Sequence, residues 1–477
     1  MTSVIKPGTA VRTVSAQHLN SHPARDNCLA PSRAIDKPAF GARYGRMFPD
    51  APALTLDPEA VLALGVQGGV CDLSSLEPSA VCEATGAAGW PMLGQFIAHD
   101  LTADRSPLTL EADIGGLHNA GSPGIDLEPL YGEGPVGEPY LYRRDDPAKL
   151  LTSPDGNDLA RNHEGLALIA DPRNDVHIYM TQLHLLFIKM HNLLVDRLRE
   201  DKVPGADLFD KARRAAAWHF QWIVVHDFLP RLIGGDLVDE LLRDGPRFYK
   251  PGEEPFVPIE FADGAYRYGH GQCRETYRLQ REGPAYPLFP DLAGFGPCPV
   301  GNDCDLTLVF DVPGHEPADR APKINGAMPS YLITLPEAIT GTVELPAHRS
   351  LAVRDLQRGV GTALPSGEWV AEAIGAEPLT PEETGLDPAR FGAGTPLWFY
   401  VLKEAEHRAD GERLGPVGGR IVGEVLIGLL RSDHGSQLSV DPSWTPTLPS
   451  AQPGTFTMAD VITATTAGLR GPNAMGG

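Results

Sequence analysis

Residues 176–198 carry Leu183, Leu186, Phe187, Met190, Leu193 and Leu194 at helical spacing. Apolar positions recurring every three or four residues over so long a stretch predict a helix that is largely buried. A second helix is expected over 88–102, where Met92, Phe96 and Ile97 form the apolar stripe and Gln95 and His99, four apart, share another face. A third is expected over about 207–233, broken near Pro230, and two more are suggested at 398–408 and 419–430. Residues 281–331 are dense in Pro and Gly, residues 440–477 are polar without clear periodicity, and no internal repeat is visible. The chain reads as mainly α. Its expected organisation is an N-terminal arm over 1–45, one domain over 46–437, and a tail over 438–477 able to pack on that domain.

Composition removes several classes of function. Of 477 residues 42% are hydrophobic, enough for a substantial core, and the 52 Gly and 45 Pro make the chain loop-rich without reaching a disordered composition. The net charge of −22 repels nucleic acid and anionic membrane surfaces over most of the molecule. No run of 18 apolar residues occurs, so no membrane span is expected. Lys6, Arg12, Arg25 and Arg33 accompany no apolar signal core, which makes the cytoplasm the default location and leaves export by another route open. The six cysteines show no C-x-x-C pair and so indicate neither a zinc site nor a dense disulfide framework, although Cys298 and Cys304 could pair within one loop.

Three patterns are set aside. The stretch Gly132-Glu133-Gly134-Pro135-Val136-Gly137 has the G-x-G-x-x-G form, but Pro135 interrupts it and no amphipathic helix comes directly after it, so it reads as a turn. His226-Asp227 lies among Trp218, Phe220, Trp222 and Val224, the surroundings of a structural histidine. His177, His184 and His191 recur every seven residues without a carboxylate cluster to complete a metal set, which favours packing or capping.

The pair His99-Asp100, within G-Q-F-I-A-H-D-L-T, differs because three further motifs lie downstream of it in the chain. D-P-R-N-D at 171–175, A-Y-R-Y-G-H-G-Q at 265–272 and L-A-V-R-D-L-Q-R-G at 351–359 come in that order at large separations. Together the four motifs resemble the animal haem peroxidase superfamily, over roughly 91–437 and closest to bacterial members. The resemblance implies a mainly α-helical domain around buried haem. It makes His99 the distal histidine, Gln95 its neighbour, Arg173 the distal arginine and His270 the proximal iron ligand. Asp355 stands where the family more often has an Asn bonded to that ligand, and Arg267 and Arg358 match positions that meet haem propionates. Asp100, Ser122, the Gly124 carbonyl, Asp126 and Glu128 match a calcium loop, with Gly124 and Glu128 departing from the commoner residues.

These residue types suit peroxide chemistry on their own terms. A neutral imidazole can take a proton from one peroxide oxygen and return it to the other, which fits His99. A guanidinium that keeps its charge stabilises the departing hydroxide, which fits Arg173. An imidazole whose second nitrogen donates to an acceptor pushes electron density to iron, which fits His270 with Asp355. Hard oxygen ligands suit calcium.

Two departures sharpen the expectation. Relatives that esterify haem do so through acids at the positions of Ala98 and Val176, and one mammalian member adds a sulfonium bond from a methionine where His177 stands. Non-covalent haem b is therefore expected unless Asp175 substitutes. With lower oxidising power, the implied function is H2O2-dependent oxidation of iodide, bromide, thiocyanate or phenolic and organic donors through a compound I intermediate. The superfamily also includes fatty-acid dioxygenases, which use a tyrosine three residues before the proximal histidine. That position here is Arg267, although Tyr266 and Tyr268 flank it. A haem-binding sensor or carrier without turnover is the alternative outside catalysis.

Overall fold

The computed structural model describes residues 44–75, 82–102, 119, 123–252, 254–298, 304–343 and 345–467. Among them are ten α-helices of eight or more residues. These are α1 (Pro58–Gly65), α2 (Gly89–Leu101), α3 (Ile178–Glu200), α4 (Leu208–Ile223), α5 (Gly235–Asp244), α6 (Leu351–Gly361), α7 (Gly367–Ile374), α8 (Leu397–Ala409), α9 (Pro416–Ser432) and α10 (Met458–Ala467). Strand content is confined to three two-stranded pairings, so the mainly α expectation holds.

The long buried helix expected at 176–198 is α3. Its N-cap is His177, whose Nδ1 accepts the Met180 N–H at 3.3 Å and satisfies one of the orphan donors of the first turn. Helices α2, α4 and α10 pack against it. The rings of Phe96, Phe187 and Phe220 join the first three of these four helices, with centroids 5.0 to 5.8 Å apart. All three rings are fully buried, worth about 1.5–3 kcal/mol each.

The break expected near Pro230 takes a specific form. Helix α4 runs into a π-helical turn, Val224–Phe228, and the chain resumes as a short α-helix, Leu229–Ile233, with Pro230 in its first turn. Proline has no N–H for the preceding turn, and the wider π turn absorbs that loss. Asp227 inside this turn is buried and bonds Arg231, whereas His226 is exposed and stacks on Trp222.

Buried carboxylates join the helices by accepting backbone amides. Glu404 on α8 accepts from Val417 at 2.9 Å and Gly418 at 3.2 Å, capping α9 from outside, and Glu424 on α9 accepts from Phe248 and Tyr249 at 2.6 and 2.8 Å. The start of α2 is fixed in the same economical way, Gly89 N–H donating to the Val309 carbonyl at 2.7 Å. A Cβ on Gly89 would lie 2.5 Å from the Phe310 ring, so glycine is what allows this approach.

The C-terminal segment packs as part of the body over its described length. Thr447 and Leu448 donate to His219 Nε2 on α4 at 3.0 and 3.1 Å, Met458 N–H reaches Asp227 Oδ2 at 3.0 Å, and α10 lies on α3. Its helical signal is weak in sequence because Thr463, Thr465 and Thr466 turn their hydroxyls back to carbonyls four residues earlier, making polar residues compatible with a packed helix. No helix among the described residues is long and apolar enough to cross a membrane.

Candidate haem site

Helix α2 presents Gln95, Ala98 and His99 to a cavity of about 320 Å³, measured to the centres of water molecules. Arg173, Val176 and His177 line it from the turn before α3, and Arg267 and His270 line it from the 3₁₀ segment Ala265–Gln272. Apolar walls come from Leu288, Phe289, Leu332, Leu335, Ile339 and Leu351. Four of the sequence motifs thus meet around one space.

His99 is held at both ends. Its Nδ1 lies 2.7 Å from Asn174 Oδ1, and Asn174 Nδ2 lies 3.0 Å from His184 Nδ1 on α3. Asn174 belongs to the 3₁₀ turn Pro172–Asp175, capped by Asp171, whose Oδ1 accepts the Arg173 N–H at 2.9 Å. The Asp171 carboxylate also grips the Arg173 guanidinium at 2.6 Å, while the same guanidinium donates to the His99 carbonyl at 2.9 Å. Burial, reinforced by the positive charge of Arg173, pushes the His99 pKa down to about 3. The imidazole is therefore neutral at ordinary pH.

Beside it, His177 fixes Gln95. Because His177 Nδ1 accepts from Met180 N–H, Nε2 carries the proton and donates to Gln95 Oε1 at 3.1 Å. The Gln95 amide keeps its NH₂ to offer elsewhere. Burial, with His99 nearby, lowers the His177 pKa to about 3, so this arrangement too is uncharged.

The other wall is ionic. His270 Nδ1 lies 2.6 Å from Asp355 Oδ2 of α6. An ionised carboxylate only accepts, so Nδ1 bears the proton and the Nε2 lone pair is left for the cavity that His270 lines. Asp355 is fully buried, and its Oδ1 accepts from Arg267 Nη1 at 3.0 Å. Arg267 then reaches Asp263 at 3.1 Å and the Ala262 carbonyl at 2.8 Å. Gly94 sets how near α2 comes to this segment, since a Cβ there would stand 3.0 Å from the Tyr268 hydroxyl.

Asp100 engages a downstream loop rather than the cavity. Its carboxylate accepts the N–H groups of Asp126 and Leu127 at 3.0 Å and Glu128 at 2.9 Å. Burial and the carboxylates of Asp126 and Glu128 hold the Asp100 pKa well above the usual range. Burial raises Asp126 to about 6 despite Arg213, whose guanidinium lies 3.7 Å away. This concentration of negative charge has the chemistry of a hard-cation site, but Asp100 is turned to amides. Among the described residues no three His, Cys, Asp or Glu side chains converge as a metal-holding group. Gly124 lies in the same loop, and Ser122 is outside the described residues.

A family model described as animal haem peroxidase matches residues 133–289. Over that stretch the chain is similar to the animal haem peroxidases. A chorion peroxidase of Aedes aegypti is 25% identical over 325 residues, 64% of this chain and 39% of its own length. Myeloperoxidase of Mus musculus is 30% identical over 130 residues, 25% of this chain and 18% of its own length. The chain thus spans well under half the length of these curated relatives. Peroxidase A from Dictyostelium discoideum shares the fold, with a TM-score of 0.61 at 16% identity over 90% of this chain and 92% of its own. A fatty acid alpha-dioxygenase of Arabidopsis thaliana does so at 0.55 and 15%, over 84% and 75%.

Several residues named from the sequence have partners that the motifs do not announce. Arg267 lines the cavity, and its guanidinium holds Asp355, Asp263 and the Ala262 carbonyl, which ties it to the network behind His270. Arg358 sits half-buried on α6 and does not line the cavity. Asp175 is engaged away from the cavity. It is buried, takes two bonds from Arg161 at 2.8 Å and one from Thr181 at 2.9 Å, and does not line the cavity. Ala98 and Val176 do line it. His177 caps α3, in line with the packing or capping expected of it, and also bonds Gln95, while His184 bonds Asn174, a residue that sequence reasoning passed over and that bonds His99. His191 packs as expected, against Tyr131 at 3.1 Å and the Ala148 carbonyl at 2.8 Å.

Proposed function

We propose that this chain is a haem peroxidase that uses H2O2 to oxidise small donors. The observation that carries this is the pair of imidazoles, His99 and His270, each engaged at Nδ1 and lining one cavity, with Arg173 held beside the first. A planar macrocycle with an iron centre fits that donor set, and the alanine and valine at the two esterifying positions fit non-covalent haem b. When bound, haem supplies a redox-active iron that breaks the peroxide O–O bond and stores the oxidising equivalents. His270 Nε2 would hold the iron, and Asp355 would keep that imidazole oriented and electron-rich. His99 Nε2 takes a proton from the peroxide and delivers it to the departing oxygen, while Arg173 stabilises the charge developing there.

By analogy with non-esterified haem, iodide, bromide, thiocyanate and phenolic or organic donors suit this chain better than chloride. Calcium is proposed for the Asp100 loop, where a cation would draw Asp100 and Asp126 together and relieve their mutual repulsion. Metal analysis and melting with and without chelator test that point. A calcium-free protein with chelator-insensitive melting contradicts it.

The dioxygenase alternative gains nothing from the site. The residue three before His270 is Arg267, and the flanking Tyr266 hydroxyl is buried with no hydrogen-bond partner among the described residues, so none of them is placed to take the proton that a phenol releases on oxidation. Stopped-flow mixing of haem-loaded protein with H2O2, then with halide or phenol, is the deciding experiment. A rapid change of the haem band reversed by donor is expected. A band unresponsive to peroxide points to a sensor or carrier, and oxygen uptake with unsaturated fatty acid points to a dioxygenase. Acidified organic solvent should extract the haem from the chain, and haem retained by denatured protein would refute non-covalent binding.

A further inference from the structure

We infer that Asn174, oriented by His184, fixes His99 as the tautomer protonated on Nδ1, so that its Nε2 lone pair is the atom offered to the cavity. This rests on the peroxidase reading and extends it to two positioning residues that the motifs do not mark.

An amide between two imidazoles can be oriented in two ways. With its oxygen towards His99, Asn174 accepts from Nδ1–H and donates its own N–H to His184 Nδ1. Reversed, it donates to His99, which then carries its proton on Nε2 and faces the cavity as a donor, unable to act as a base. The contacts favour the first arrangement. The separation on the His99 side is 2.7 Å, the range of N–H···O, and on the His184 side 3.0 Å, as N–H···N requires.

This orientation has a cost, which itself marks a role beyond packing. If His184 accepts at Nδ1, its proton is on Nε2, and that nitrogen is buried without a hydrogen-bond partner. The reversed amide would leave an unpaired acceptor there, which is the cheaper fault. Placement leaves Asn174 little freedom to reverse. Its side chain is fully buried, and its neighbours are pinned, Arg173 by Asp171 and the His99 carbonyl, Asp175 by Arg161 and Thr181. Asn174 and His184 touch neither peroxide nor donor in this scheme and act only through His99.

The test is nitrogen NMR of histidine-labelled, haem-loaded protein in the diamagnetic ferrous carbonyl state, with His99 assigned by its loss in His99→Gln. Protonation at Nδ1 is expected, and protonation at Nε2 overturns the inference even if Asn174→Leu fails to fold. In stopped flow, Asn174→Leu should react with peroxide about tenfold more slowly or worse, as when a general base is misplaced. Asn174→Asp, which still accepts from Nδ1–H, should keep the tautomer and stay within about threefold of the parent rate. Equal rates in Asn174→Leu and the parent overturn the inference. An Nδ1–H tautomer in protein inert to peroxide instead removes the peroxidase reading and leaves the tautomer assignment standing.

Discussion

The two walls of the cavity use histidine in opposite electrical settings. On the wall built by α2 and the turn before α3, the partners of the histidines are amides and other imidazoles: Asn174 and His184 for His99, Gln95 for His177. On the wall built by the 3₁₀ segment and α6, His270 ends an ionic chain through Asp355 and Arg267 to Asp263. Neutral partners leave an imidazole able to give and take a proton. A carboxylate partner leaves it a committed donor at one nitrogen and a strong ligand at the other. Breaking a buried ion pair costs about 3–5 kcal/mol, against about 1–3 kcal/mol for a buried neutral bond. The proximal wall is accordingly the stiffer anchor and the distal wall the working surface.

Substitution of the two histidines should separate these roles most widely. His270→Ala is expected to abolish haem retention on gel filtration and with it all peroxide reactivity. His99→Ala should retain haem and slow the peroxide reaction by about 10²-fold or more. Equal haem loss in both variants would break the division between anchor and working surface. Arg173→Ala should slow the same step by a similar order, about 10²-fold, with haem retained. It also releases the His99 carbonyl and Asp171, so an unchanged rate would remove both the charge and the clamp from the scheme.

The contrast between the walls is only half legible in the sequence. The helices α2, α3, α8 and α9 announce themselves through apolar spacing, and the resemblance locates His99, Arg173, His270 and Asp355 because each lies in a distinctive short motif. The distal partners escape for a physical reason. His177 and His184 sit on a helix whose apolar periodicity is complete without them, so their spacing says only that they are near the core. Asn174 is one polar residue in a polar turn, and nothing local shows that its amide reaches a side chain 75 residues earlier. Arg267 is half legible for a different reason. A motif position carries no information on which of two anions, a propionate or Asp355 with Asp263, the guanidinium meets.

The neutrality of His99 has a pH signature. Burial and Arg173 place the His99 pKa near 3, and only its neutral form is a base. The peroxide reaction should therefore be flat from neutral pH down to about pH 4 and fall through a midpoint of about 3. A pH-jump stopped-flow mixer measures this before acid unfolding intervenes. A midpoint near 6.5, the value of an unperturbed histidine, would mean that His99 is solvated and does not sit in the buried, neutral setting inferred for it.

The smallest effect expected is on the iron's potential, and it tests the ionic wall with two substitutions of opposite sign. Asp355→Asn replaces a charged acceptor by a neutral amide, so His270 gains less anionic character, donates less to the iron and stabilises the ferric state less. The ferric/ferrous midpoint should rise, and peroxide cleavage should slow only modestly because His99 and Arg173 are untouched. Arg267→Gln acts on the same carboxylate from its other oxygen. At present Oδ1 of Asp355 is held by the Arg267 guanidinium at 3.0 Å, which draws negative charge away from the 2.6 Å bond to His270. Removing that cation concentrates the charge on His270, and the midpoint should fall. Spectroelectrochemistry of both variants at equal haem occupancy gives the answer. A rise in both would mean that the guanidinium supports the carboxylate's bond to His270 and does not moderate it. No shift in either would detach Asp355 from the iron ligand and leave the proximal wall as a structural ion-pair network only.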